Sequence, residues 1–69
     1  MIKFSQRLKE LRTEKKLSIR AIAKLLDMPF TTYNNYEQGT REPSLETLVL
    51  LCDFFNVPAD YLLGRVDEY

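Results

Sequence analysis

The chain has 69 residues, 45% hydrophobic and 29% charged, with ten Lys or Arg against ten Asp or Glu; one soluble domain near the lower size limit for a self-supporting core is expected. A single cysteine, Cys52, and no histidine exclude an intramolecular disulfide and remove the commonest zinc ligands and general base. No apolar run approaches the roughly 20 residues that span a bilayer, and the start MIKFSQRLKE has no signal-peptide stretch, so a cytoplasmic protein without metal or cofactor is expected.

Hydrophobic spacing predicts five short helices. The first covers Phe4 to Lys15, with Phe4, Leu8 and Leu11 on one face and charges on the others, the pattern of an amphipathic helix. Ser18 offers a side-chain oxygen to the free N–H groups opening a second helix, Ile19 to Leu26, with Ile22, Ala23 and Leu26 turned inward. Asp27 and Met28 make a turn. Pro29 is expected to start the third helix, because a first-turn position does not need its missing N–H. Gly39 then closes that helix after Gln38 by taking the left-handed conformation. Thr40 to Pro43 form a loop, and Ser44 caps a fourth helix, Leu45 to Phe55, with Leu48, Leu51, Cys52 and Phe55 inward and Glu46 in its first turn. After a turn at Asn56 and Val57, Pro58 opens a last helix closed by Gly64. No convincing stretch alternates with a period of two, so the fold class is all-α.

Charge is unevenly distributed. Residues 1–24 hold eight bases (Lys3, Arg7, Lys9, Arg12, Lys15, Lys16, Arg20, Lys24) and two acids, a local charge of +6, and residues 25–69 compensate with −6. Either this is a solvated basic face, or it gives the folded domain a positive side able to attract phosphates at zero net charge.

The segment from Leu17 to Gly39 carries the functional signal. Two helices of eight or nine residues joined by so short a turn must cross steeply, one bracing the other. On the outer face of the third helix, Thr31, Asn34, Asn35 and Gln38 fall at relative positions 0, 3, 4 and 7, a stripe of neutral hydrogen-bonding groups. The stripe is either merely solvated or suited to base edges, since Asn or Gln can donate to and accept from adenine together in the major groove. Thr and Asn are mediocre helix formers, which weighs toward the second reading.

Leu17-Ser18, Ala23, Tyr36-Glu37-Gln38-Gly39 and Pro43-Ser44-Leu45-Glu46-Thr47-Leu48, taken together, resemble the lambda-repressor/Cro-like, or XRE, helix-turn-helix family, over nearly the whole chain from LKELR to YLLG. The resemblance implies a compact five-helix domain covering residues 1–69, with the helix-turn-helix at about 18–38 and a short tail at 65–69. It also implies helix three in the major groove and helix two across the backbone. Carried over position by position, Phe30, Thr31 and Asn35, with Asn34 beside them, match base-contacting positions. Ser18, Arg20, Gln38, Thr40 and Arg41 are the expected phosphate contacts, and Arg12 and Glu37 match a structural ion pair.

The chain departs from the family pattern in places. Ile19 stands where an amide commonly meets phosphate, Asp27 where a turn glycine is usual, and Pro29 and Pro58 where Ser often caps. Phe30 replaces a polar or basic residue; it either meets thymine methyls or packs on the turn beside Met28 or Tyr33. Helix three has no Lys or Arg, so it supplies no bidentate arginine for guanine.

The expected function is therefore a sequence-specific DNA-binding transcriptional regulator, a repressor acting on double-stranded DNA as a homodimer, with no enzymatic activity, membrane association or small-molecule ligand. The alternative is a protein-interaction module or antitoxin component that keeps the fold with weak or no DNA binding. Phe54, Phe55, Tyr61 and Leu62 are either a candidate dimer surface, as bulk beyond what so small a core encloses, or that core itself.

Overall fold

A computed structural model describes residues 3–69, so the first two residues of the expected domain lie outside it. Among the described residues the chain forms α1 (Phe4–Glu14), α2 (Ile19–Leu25), α3 (Phe30–Gln38), α4 (Leu45–Phe55) and α5 (Ala59–Leu63), with no strand.

Local chemistry fixes most of the boundaries. The Ser18 hydroxyl accepts from the Ala21 N–H at 3.0 Å, and the Ser44 hydroxyl accepts from the Thr47 N–H at 3.1 Å, so α2 and α4 each open with one free amide satisfied. Gly39 and Gly64 close α3 and α5 in the left-handed region, at φ of 78° and 86°. At Gly64 the requirement is also steric, because a Cβ there would come within 3.0 Å of the Lys3 side chain. The two prolines sit one residue earlier than expected. Pro29 and Pro58 are extended N-caps, with ψ of 144° and 155°, and the helices start at Phe30 and Ala59. A proline ring fixes φ near a value shared by helix and extended chain and leaves ψ to its surroundings. Neither proline costs its helix a bond, since the Pro29 carbonyl still accepts from Tyr33 and that of Pro58 from Leu62. α1 and α2 begin where expected and end at Glu14 and Leu25, each one residue short at its C-terminus.

The core gathers side chains from every helix: Leu8 and Leu11 of α1, Ile22 and Ala23 of α2, Tyr33 and Tyr36 of α3, Leu51 and Phe55 of α4, and Leu62 of α5. α3 packs on both α1 and α2, while α5 packs on α1 and α4. The aromatic surplus, readable as dimer surface or as core, is this core: Phe55 and Leu62 are buried, and Phe54 and Tyr61 pack against it half-buried. Instead α4 turns Leu45, Val49 and Leu50 to solvent, with Leu45 81% and Val49 59% exposed. Cys52 lies half-buried against the core, where burial, and then the Asp53 charge, raise its thiol pKa.

Because one cap bond opens α4, Ser44→Ala is expected to cost about 1 kcal/mol. In a domain of this size that lowers the melting temperature by roughly 4–8 °C, measurable by far-ultraviolet circular dichroism.

Candidate nucleic-acid interface

The geometry of α2 and α3 is held by a buried ion pair. Arg12, on α1, donates from Nε to Glu37 Oε2 at 2.7 Å and from Nη2 to Oε1 at 3.1 Å, a two-pronged contact to α3. Its remaining arm, Nη1, donates to the Leu17 carbonyl at 2.7 Å, just before α2 begins. One guanidinium therefore ties together α1, α3 and the chain entering α2. The carboxylate side chain is 3% exposed and the guanidinium side chain 11%. The hydrogen bond to Glu37 holds the Arg12 pKa above its ordinary value, against the effect of burial. The Tyr33 ring is fully enclosed, and its hydroxyl has no hydrogen-bond partner among the described residues. Burial, and then the neighbouring Glu37 carboxylate, push its pKa above the phenol range.

A second contact fixes the far end of α3, where the Ser5 hydroxyl donates to the Tyr36 carbonyl at 2.8 Å. The turn between α2 and α3 is closed by Asp27, at φ 56°, and by the Met28 N–H donating to the Ala23 carbonyl at 3.0 Å. Aspartate tolerates this left-handed geometry better than most residues.

With Tyr33, Tyr36 and Glu37 facing inward, α3 presents the opposite stripe outward: Thr31 and Gln38 are exposed, Asn34 and Asn35 half-buried. Phe30 is 38% exposed at the start of α3, and the Arg20 guanidinium lies over its ring, 4.6 Å from the centroid. Ser18 and Arg41 are exposed. The Ser18 hydroxyl spends an acceptor lone pair on its cap and keeps its proton free to donate. The Thr40 hydroxyl turns back to the Asn35 carbonyl through a long bond of 3.4 Å, one readily exchanged for a better acceptor.

The basic N-terminal third is less free than its composition suggests. Arg7 is 7% exposed: Nη1 donates to the Tyr61 carbonyl at 2.6 Å and to the Val66 carbonyl, and Nη2 donates to Asp67 Oδ1 at 3.0 Å. The guanidinium also stacks on the Tyr61 ring at 4.2 Å. Arg7 thus clamps the segment after α5 to α1 instead of steering phosphates. Its place in the inward stripe with Phe4, Leu8 and Leu11 is the sequence signal that marks it.

These elements, in this order and with this spacing, match a helix-turn-helix family model over residues 8–62. The chain belongs to the helix-turn-helix family. Within it, this domain is of the XRE type. The helix-turn-helix chain is 49% identical to the HTH-type transcriptional regulator AnsR of Bacillus subtilis, over 86% of this chain and 51% of that protein. It is 38% identical to the cryptic phage CTXphi transcriptional repressor RstR of Vibrio cholerae, over 94% of this chain and 62% of the relative. In three dimensions it matches a transcriptional regulator from Listeria innocua with a TM-score of 0.86 and 32% identity, across the whole of this chain and 64% of the other. This helix-turn-helix chain therefore spans between half and two thirds of the length of these three proteins. No helix among its described residues is long and apolar enough to cross a membrane.

Proposed function

We propose that the chain is the DNA-reading part of a cytoplasmic transcriptional repressor, which places α3 in the major groove of a palindromic operator and binds as a homodimer. The observation that carries this reading is the outer face of α3. Thr31, Asn34, Asn35 and Gln38 stand together on a helix that the Arg12–Glu37 pair and the Ser5 bond fix from behind. Amide and hydroxyl groups held rigidly on a projecting helix suit adenine edges and thymine methyls. In this arrangement Phe30, Thr31, Asn34 and Asn35 meet bases, while Ser18, Gln38, Thr40 and Arg41 meet the flanking phosphates; Arg20 is assigned below. The name of the RstR relative supports repression as the outcome.

Dimerisation is supported by the outward strip of α4. Leu45 and Val49 stand one turn apart, and Leu45 also borders a shallow groove of about 240 Å³ lined by Phe4, Glu42, Pro43, Leu48 and Leu63. A two-fold pairing presents two copies of α3 to half-sites about one helical turn, ~34 Å, apart.

Selection of bound duplexes from a random pool, with solution mass measured alongside, tests the reading. An enriched inverted repeat and a doubled mass are expected; no duplex bound at low salt overturns it and favours the protein-interaction alternative. In the same assay Arg41→Ala is expected to weaken selected and random duplexes by the same factor, and to reduce the slope of log affinity against log salt by about 1. An unchanged slope removes Arg41 from the phosphate contacts.

A further inference from the structure

We infer that Arg20 is a guanine-reading residue, aimed by the aromatic ring of Phe30. The inference rests on the DNA-binding reading above and changes what that surface is able to recognise. Arg20 is exposed on the first turn of α2, and its guanidinium lies over Phe30, the first residue of α3, at 4.6 Å from the ring centroid. Among the described residues it makes no hydrogen bond and no ion pair, so its five N–H donors are unspent. Arg7 and Arg12, by contrast, have committed theirs to the fold.

Two consequences follow from the stack. A guanidinium held over an aromatic face is partly restrained before any ligand arrives, and its N–H groups remain unspent. The position is also set: in this docking mode the N-terminal residues of the recognition helix meet base edges, and Phe30 is the first of them. A planar donor pair at that end matches the O6 and N7 acceptors of guanine, the arrangement arginine recognises with two parallel bonds. A phosphate contact has no need of the ring. Since α3 has neither Lys nor Arg, the domain gains through α2 the guanine contact that α3 lacks. The half-site is then an A·T-rich stretch read by Thr31, Asn34 and Asn35 with one guanine at the edge facing the start of α3.

The test uses the duplex recovered by selection, with each guanine replaced in turn by 7-deazaguanine, which lacks the N7 acceptor. For the unaltered chain one guanine per half-site is expected to give a loss of about tenfold. In Arg20→Ala the same replacement costs less than twofold, and Phe30→Leu, with the plate removed, reduces the sensitivity. Arg20 is exposed, so its variants fold. The inference is overturned if no guanine is sensitive, or if Arg20→Ala weakens selected and scrambled duplexes equally while taking about one unit from the salt slope, the signature of a phosphate contact. Failure of the unaltered chain to bind any duplex overturns the DNA-binding reading and this assignment with it. The inference failing alone leaves tight, selective binding intact.

Discussion

Replacing Glu37 with Ala is expected to destabilise the domain by about 3 kcal/mol, because it strands the Arg12 charge where the side chain is only 11% exposed. The guanidinium cannot escape by losing its proton. Glu37 raises the Arg12 pKa in the intact domain, and with that support gone an arginine still stays charged at any working pH. It must therefore hydrate by pulling α1 and α3 apart. Against a total stability of roughly 3–10 kcal/mol for a domain of this length, the loss is large, equivalent to roughly 12–24 °C in melting temperature. The double replacement Arg12→Met with Glu37→Leu separates the burden of an unpaired charge from the worth of the pair. Apolar isosteres at buried ion pairs are often neutral or stabilising, so the double variant is expected to regain most of what Glu37→Ala loses. Urea titration of both variants checks this. Equal instability would show that the loss comes from packing rather than charge.

The pair also shows which parts of the fold are legible in sequence. Ser18, Ser44, Gly39 and Gly64 act within a few residues of themselves, so their caps follow from local chemistry and stand where the pattern places them. Pro29 and Pro58 are displaced by one residue because their φ suits two conformations and tertiary packing selects ψ. The Arg7 clamp joins residues 54 to 60 positions apart, and no periodicity in α1 reveals what will lie opposite, although Arg7 sits visibly in an apolar stripe. Of the two readings of Phe54, Phe55, Tyr61 and Leu62, the core holds for Phe55 and Leu62, which are buried, and Phe54 and Tyr61 pack against it half-buried. Bulk alone does not say which aromatic residues a small core will enclose, and helical phase says more: with Leu48, Leu51, Cys52 and Phe55 inward, Val49 is left on the flank, whereas Leu45 shares the phase of Cys52 and is exposed at the opening of the helix. At the candidate site, the polar stripe of α3 is a product of the 3.6-residue period and could be read directly. The stack of Arg20 on Phe30 spans ten residues and depends on how two helices cross, so sequence left Phe30 open between base contact and packing.

Asn35→Ala is expected to weaken binding to the selected duplex by about 1–3 kcal/mol, some 5- to 150-fold, while leaving random duplexes and stability nearly unchanged. The separation between binding and folding follows from what Asn35 does in the free domain. Its side chain is half-buried on the outer face and makes no hydrogen bond among the described residues; its backbone serves the helix, the carbonyl accepting from the Thr40 N–H at 3.1 Å to close α3. Alanine keeps that carbonyl and is the better helix former by a few tenths of a kcal/mol. What it removes is an amide able to donate to and accept from one adenine together. The decisive measurement is therefore a comparison of base pairs, not a single affinity. Changing the contacted A·T pair to G·C should penalise the unaltered chain strongly and Asn35→Ala hardly at all. If the variant instead loses the same factor on every duplex, Asn35 positions the domain and does not read sequence, and the discrimination must come from Thr31, Asn34 and the Arg20–Phe30 pair at the other end of the stripe.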